Sequence, residues 1–195
     1  MSEPPATGAR AFHIKPLIPP KPPLADETIR LEPLEQSHLP DLLDLVVDEA
    51  AQRFTLVPTG AGAEFVRRWI GRYEGGWDDG SCAGFAIRGV NDDAFLGFAA
   101  LVQLDLDARQ GEIGYALPAA VRGRGTAGRA VALLTRWGFD ELELLRLELR
   151  IDVENTASER VGERSGYRRE GVLRNVHFKE GRRSDLGVWS RLSQD

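Results

Sequence analysis

The stretch GEIGYALPAAVRGRGTAGRAVALLTRWGFDELELLRLELRIDVENTASERVGERSG, Gly111 to Gly166, decides how the chain folds. From Glu112 to Leu117, polar or small residues (Glu112, Gly114, Ala116) alternate with apolar ones (Ile113, Tyr115, Leu117). A period of two predicts a strand with one buried face. Pro118 has no N–H to give a ladder, so it ends this strand or splays it from its neighbour. Next comes Arg122-Gly123-Arg124-Gly125-Thr126-Ala127, whose two glycines let the backbone curl until successive N–H groups point one way. Ala127, Ala130, Val131, Leu134, Trp137 and Leu142 then recur with the spacing of a helix that has one core-facing stripe. A glycine turn feeding a helix N-terminus is an anion site, because orphan N–H groups and the helix dipole both favour negative charge. Phosphate or pyrophosphate fits it.

Alone, the loop is a weak signal. It is read as falling short of the dinucleotide fingerprint, in which an acidic residue follows the glycines by about twenty positions. No Gly-x-x-x-x-Gly-Lys-Ser/Thr run exists, which argues against a P-loop nucleotide hydrolase. Arg-Gly-Arg-Gly could also mark an RNA-binding arm. A net charge of -5 and a pI near 5.4 oppose that and argue against a nucleic-acid partner.

The continuation sharpens the signal. Arg146 to Asp152 repeats the strand pattern with Leu147, Leu149 and Ile151 inward. Asn155-Thr156-Ala157-Ser158 follows, then a short helix through Val161, then Ser165-Gly166-Tyr167 and Arg169 to Arg174. With these residues in order, the chain resembles the GNAT superfamily of acetyl-CoA-dependent N-acyltransferases, in its RimJ/RimL-like branch. The family's Arg/Gln-x-x-Gly-x-Gly/Ala signature corresponds to Arg122-x-x-Gly125-x-Ala127, and the branch's Asn-x-x-Ser to Asn155-x-x-Ser158. The resemblance covers most of the chain from about Thr28 onward.

At 195 residues, 42% hydrophobic and 28% charged, the chain has the length and composition of one globular domain with a sizeable core. Residues 1–27 hold seven of the eleven prolines and read as a proline-rich extended arm; residues 28–195 read as the N-acetyltransferase domain. The single cysteine, Cys82, excludes an internal disulfide and suits a reducing, cytoplasmic setting. No apolar run has the length of a membrane span, and no basic segment with an apolar core opens the chain. No metal is expected.

Along the domain, Thr28 to Pro33 predicts a first strand, and Ser37 is read as the cap of a helix carrying Leu39, Leu42, Leu43 and Val46. A second helix with Phe65, Trp69, Ile70 and Tyr73 follows Pro58–Gly62, and Gly75 to Gly80 is read as a turn cluster. Residues 85–87 and 95–101 read as a hairpin turning at Asn91-Asp92-Asp93. Val172–Lys179 and Leu186–Leu192 read as a last strand pair. The resulting α/β fold class is a mixed, largely antiparallel sheet with a splayed central strand and flanking helices, as the resemblance also implies.

The resemblance implies an acetyl transfer from acetyl-CoA to a primary amine, by direct attack in a ternary complex. A free N–H of the splayed strand at Tyr115, Ala116 and Leu117 would bond the thioester oxygen. The amides of Arg122, Gly123, Arg124, Gly125, Thr126 and Ala127 would hold pyrophosphate. Asn155 would orient the pantetheine arm, and Ser158, beside the sulfur in this branch, would act as acid while also serving as an N-cap. Glu112 is the candidate base, acting through a water, with His177 as the runner-up. Asp105 and Asp107 are candidate attractors of a cationic amine. Other branches use a tyrosine acid in the last helix, and none stands between Ser158 and Ser165; Tyr167, just beyond, reads as packing. The acceptor is open between a peptide N-terminus and a small amine, and the family's two first helices put residues 53–58 beside it. Family habit leaves a homodimer open. A non-catalytic acyl-CoA sensor or partner module is the alternative function.

Overall fold

Alternation of apolar and polar residues becomes one eight-stranded sheet in the computed structural model, which describes residues 15–195. The first fourteen residues of the proline-rich arm lie outside the described residues. The chain runs β1 (Leu24–Ala25), β2 (Ile29–Pro33), α1 (Leu39–Val46), α2 (Glu49–Phe54), α3 (Ala63–Asp79), β3 (Ala83–Gly89), β4 (Phe95–Asp105) and β5 (Gln110–Ala116). It continues as α4 (Thr126–Asp140), β6 (Arg146–Asp152), α5 (Thr156–Arg164), β7 (Arg168–Lys179) and β8 (Arg182–Leu192). The strand order is β1-β2-β3-β4-β5-β6-β8-β7. Every pair is antiparallel except β5 with β6.

That one parallel pair is short. Gln110, Gly111 and Glu112 face Arg146, Leu147 and Glu148, and the pairing stops there. On its other side β5 stays paired to β4 as far as Ala116 opposite Phe98. β6 meanwhile follows β8 to Asp152 opposite Leu186. The two central strands therefore diverge beyond Glu112, and the expected splay is present.

Period two divides the core into two layers. Phe85, Ile87, Ala99, Leu101, Ile113 and Leu147 pack under Val131, Leu134 and Trp137 of α4. Ala86, Phe98 and Ala100, on the opposite face, pack under Leu42 and Leu45 of α1 and Val66, Ile70 and Tyr73 of α3. The ring of Phe85 lies edge-on between Trp77 and Trp137, with centroids 5.4 and 5.5 Å away. Aromatic pairs in this geometry add stability beyond their buried area, and this one joins both helical layers to β3.

Several expectations need correction. Residues 75–79 belong to α3, and Gly80, at φ +75°, is its left-handed cap. Their composition suggested a turn, but a Cβ on Gly76 would lie 2.3 Å from Cys82 Sγ and 2.5 Å from its carbonyl oxygen. Close approach of helix to strand, not turning, selects glycine there. The helix α2 was not anticipated, and neither was β1, which pairs with β2. Ser37 does not cap α1: a short 3-10 turn, Gln36–His38, precedes it with Glu35 as its N-cap, and the Ser37 hydroxyl donates to Glu35 Oε1 at 2.7 Å. Gly123, Gly125 and Gly128 do stand at Gly-x-Gly-x-x-Gly spacing. What separates this chain from a dinucleotide fold is its sheet, which has one parallel pair and not a parallel core.

Gly76→Ala will lose roughly 1–3 kcal/mol of stability by overpacking. Gly75→Ala, exposed and with nothing within 4 Å of its added Cβ, will gain about 0.5–1 kcal/mol from helix propensity alone. Urea unfolding midpoints of the two variants will therefore move in opposite directions.

Candidate active site

The mouth of the splay is built by the two chain segments that leave it. After Ala116 the chain turns through Pro118 and a 3-10 turn, Ala119–Val121, into the glycine loop. Gly123 and Gly125 have φ of +78° and +84°. A Cβ at either would meet nothing within 4 Å, so conformation and not space requires glycine. Gly125 is the N-cap of α4, which leaves the first amides of that helix without intrahelical partners. Thr126 and Ala127 are buried at its base; Arg124 is exposed.

Arg122 is engaged elsewhere. Its Nε and Nη2 donate to the Leu117 carbonyl at 3.0 and 2.8 Å, and Nη2 pairs with Asp48 Oδ1. Asp48 also accepts from the Ala51 amide at 3.0 Å and caps α2. Burial pushes the Asp48 carboxyl up, yet the Ala51 amide and the Arg122 guanidinium outweigh it and hold the group below its ordinary range. One arginine thus ties the loop to the end of β5 and to α2.

On the far lip, Asn155 caps α5 by accepting from the Ser158 amide at 3.1 Å. The cap is Asn155, not Ser158; Ser158 is the third residue of the helix, and its hydroxyl is left for other work. Across the gap stands Tyr115, whose hydroxyl is buried without a hydrogen-bond partner. Burial pushes this phenol up to about 12, and the nearby Ser158 hydroxyl opposes the shift only in part.

Glu112 occupies the crotch of the splay on the opposite face from Ile113. Arg150 Nε lies 3.4 Å from Glu112 Oε2 and 3.1 Å from Glu148 Oε2. Burial raises the Glu112 pKa, Arg150 opposes the rise, and Glu148 adds to it. An open cavity of about 530 Å³ lies here, lined among others by Arg72, Gln103, Asp105, Glu112, Glu148 and Arg150. Asp105 therefore joins Glu112, while Asp107 is exposed on the turn beyond β4 and is not among the cavity residues. His177 is on β7, which β6 and β8 separate from β5 in the sheet. Tyr167 is buried and shares a 2.8 Å hydrogen bond with Thr135, a packing role as expected. Among the described residues no group of His, Cys, Asp or Glu could hold a metal, and no helix is long and apolar enough to cross a membrane.

Sequence reasoning missed α2, which joins both lips. Besides Asp48–Arg122, Arg53 Nη2 meets Glu154 Oε2 at 2.8 Å, and Lys179 Nζ donates to the Gln52 carbonyl. Just beyond, the Thr59 amide and hydroxyl donate to Glu180 at 2.7 and 2.9 Å. Asp48 followed by Glu49 is a helix-start signal that could have disclosed it.

A glycine turn at a helix N-terminus, facing a gap between two diverging strands, defines a domain able to hold an extended, phosphate-bearing ligand with its far end between the strands. The chain belongs to the family of acetyltransferase (GNAT) domains, whose model matches residues 28–168. It is 30% identical over 172 residues to the Bacillus subtilis (strain 168) protein described as "Probable N-acetyltransferase YjcK", covering 85% of this chain and 91% of that one. It is 31% identical over 117 residues to an uncharacterized N-acetyltransferase of Bacillus licheniformis, covering 60% of this chain and 66% of that protein, just under two thirds of its length. The fold superposes on that of RimL, a ribosomal-protein alpha-N-acetyltransferase, with a TM-score of 0.79 at 20% identity, covering 87% of this chain and 92% of RimL. RimL has also been solved with coenzyme A, and that structure matches with a TM-score of 0.77 at 21% identity over 87% and 96% of the two chains. The family read from Arg122-x-x-Gly125-x-Ala127 and Asn155-x-x-Ser158 is borne out.

Asp48→Ala will cost roughly 1–2 kcal/mol through loss of the α2 cap, seen as a lower denaturation midpoint.

Proposed function

We propose that the chain is an N-acetyltransferase of the RimJ/RimL-like branch that moves an acetyl group from acetyl-CoA to a primary amine in a ternary complex. One observation carries the reading: β5 leaves β6 after Glu112, at the point where the glycine turn of α4 opens. The amides from Arg122 to Ala127 hold pyrophosphate, and the backbone does most of the binding because the Arg122 side chain is already bonded to Leu117 and Asp48. The freed edge of β5 from Tyr115 to Leu117 donates an N–H to the thioester oxygen and steadies the negative charge that develops there. Asn155, by capping α5, sets the far lip against which the pantetheine arm lies.

Bound acetyl-CoA supplies an activated acyl carbon. The acceptor nitrogen attacks it, a C–N bond forms and the C–S bond breaks. Glu112 accepts the amine proton through a water, and Ser158 donates its proton to the leaving sulfur as it takes one up from solvent water, so that both side chains end as they began once Glu112 returns its proton to solvent. Burial suits Glu112 to this, since a raised pKa makes it a stronger base than an ordinary glutamate. Three carboxylates, Asp105, Glu112 and Glu148, stand around the cavity against two guanidiniums, Arg72 and Arg150, a small acidic excess in keeping with a peptide N-terminus or a small amine as acceptor. Dependence on acetyl-CoA, a cytoplasmic metabolite, puts the enzyme in the cytoplasm, and a lone buried thiol at Cys82 agrees with that.

Acetyl-CoA or CoA will raise the melting temperature of the native chain, by the equivalent of about 2.7 kcal/mol at a hundredfold excess over Kd. Gly125→Glu puts a carboxylate at the loop and will abolish the shift, even after allowance for its own strain at φ +84°. No shift in the native chain at millimolar coenzyme removes both the enzyme and the sensor reading. A shift without acetylation of any amine leaves only the sensor. Because the base must be deprotonated, kcat/KM will rise with pH through a midpoint above the ordinary 4.5 of a glutamate. Glu112→Gln will lose that limb and lower kcat by roughly 10²–10⁴.

A further inference from the structure

Two acidic side chains face each other on the last rung of the parallel pair: Glu112 of β5 lies opposite Glu148 of β6, and beyond them the strands diverge. Like charges directly opposite in a sheet are destabilising, so the pair calls for a cation between them. Arg150, two residues along β6 and on the same face as Glu148, is that cation. It serves the two unequally. Arg150 Nε donates to Glu148 Oε2 at 3.1 Å, whereas Glu112 Oε2, 3.4 Å away, is held by charge without a hydrogen bond. Arg146 donates twice to the other Glu148 oxygen, from Nε at 3.0 Å and Nη2 at 2.7 Å. Arg146 is itself clasped by Glu170, at 2.8 and 2.6 Å, and Glu170 accepts from the Ser190 hydroxyl at 2.5 Å. The result is a chain of alternating charge, Glu170–Arg146–Glu148–Arg150–Glu112. Its last carboxylate, the one at the splay, accepts no hydrogen bond among the described residues.

We propose, resting on the acetyltransferase reading above in which Glu112 is the base, that Glu148 is a positioning residue for it: by holding Arg150 to its own Oε2, and by its own charge, it keeps the Glu112 carboxylate only partly neutralised and therefore basic. Bonded outright to a guanidinium, Glu112 would be a poorer acceptor for the proton of the attacking amine. With no cation near, it would ionise less readily beside Glu148. Sharing Arg150 sets it between these limits. The other titratable or charged groups about Glu112 are Asp105 at the end of β4 and Arg72 and Tyr73 of α3. Asp105 accepts from the Ala108 amide at 2.7 Å, and burial pushes the Tyr73 phenol up to about 12, so it stays neutral. Arg150 is the one cation within ion-pair reach of Glu112 among the described residues. The Glu112 pKa, lifted first by burial, lowered by Arg150 and lifted again by Glu148, follows the same division of charge.

The test titrates the Glu112 carboxyl directly, by NMR of the full chain carrying carbon-13 at its glutamate carboxyls, without ligand; Glu112→Gln identifies the resonance. Glu148→Gln removes the competing charge and frees Arg150 for Glu112, and is expected to lower the Glu112 midpoint by about one pH unit. Arg150→Gln is expected to raise it by a similar amount. Glu148→Asp keeps the charge but withdraws it from Arg150 and is expected to lower the midpoint by less, which gives the same reading if Glu148→Gln does not fold. With acetyl-CoA and an accepted amine, the rise of kcat/KM with pH is expected to follow the midpoint, to lower pH in the Glu148 variants and to higher pH in Arg150→Gln. A side chain that merely props the sheet would change the melting temperature and leave these midpoints in place. A Glu112 midpoint unmoved by the Glu148 variants, or moved the same way by Arg150→Gln, overturns the inference in an enzyme that still acetylates. Midpoints that move under a kcat/KM profile that does not follow them overturn it as well, because Glu112 is then not the base. A native chain that neither binds coenzyme nor acetylates any amine fails the acetyltransferase reading itself, an outcome seen before any variant is compared.

Discussion

The three-residue limit on β5–β6 pairing governs the rest of the molecule. A strand that stops pairing leaves alternate N–H and C=O groups facing the gap, and such groups must meet water or a ligand. The gap persists because each strand is committed elsewhere, β5 to β4 and β6 to β8. Closing it would require one ladder to break. Fully buried side chains on both faces oppose that, Leu101 and Leu147 on one and Leu42 and Ile70 on the other, each worth about 1.5–3 kcal/mol. The cleft is thus an outcome of sheet topology, stabilised at a distance by the two cores.

Local chemistry then tunes the mouth. Arg122 bonds the Leu117 carbonyl, just past β5, and the cap of α2 together, so loop, strand and helix hold one another. Asn155 does the equivalent for α5. The charged groups lie on one face of the splay, where Glu112, Glu148 and Arg150 meet, and Tyr115 packs against the core on the other.

Much of this was legible in the sequence. Strand alternation at Glu112–Leu117 and Arg146–Asp152, and the glycine turn before Thr126, are local signals that tertiary structure preserved. What escaped was set by contacts distant in sequence. The α2 helix has six residues, too few for periodicity to declare. Gly75 and Gly76 look like a turn until Cys82 is seen against the second of them. Asn155 and Ser158 are both good capping residues, and only geometry tells which one caps. The Tyr115 side chain read simply as inward-facing; alternation gives a face but not what the hydroxyl meets there.

The ties between α2, the loop after it and the β7–β8 hairpin join residues far apart along the chain, with Thr59 and Glu180 separated by 121 positions. β6, the second wall of the cleft, has only three paired residues with β5 and otherwise depends on β8, which comes later in the chain. A chain emerging from the ribosome can complete its N-terminal helices and β1–β5 while the second wall is still without its partner. The pocket therefore comes into being only once β8 has been made, and a product cut off before β8 would keep the glycine loop yet lack the wall it works against.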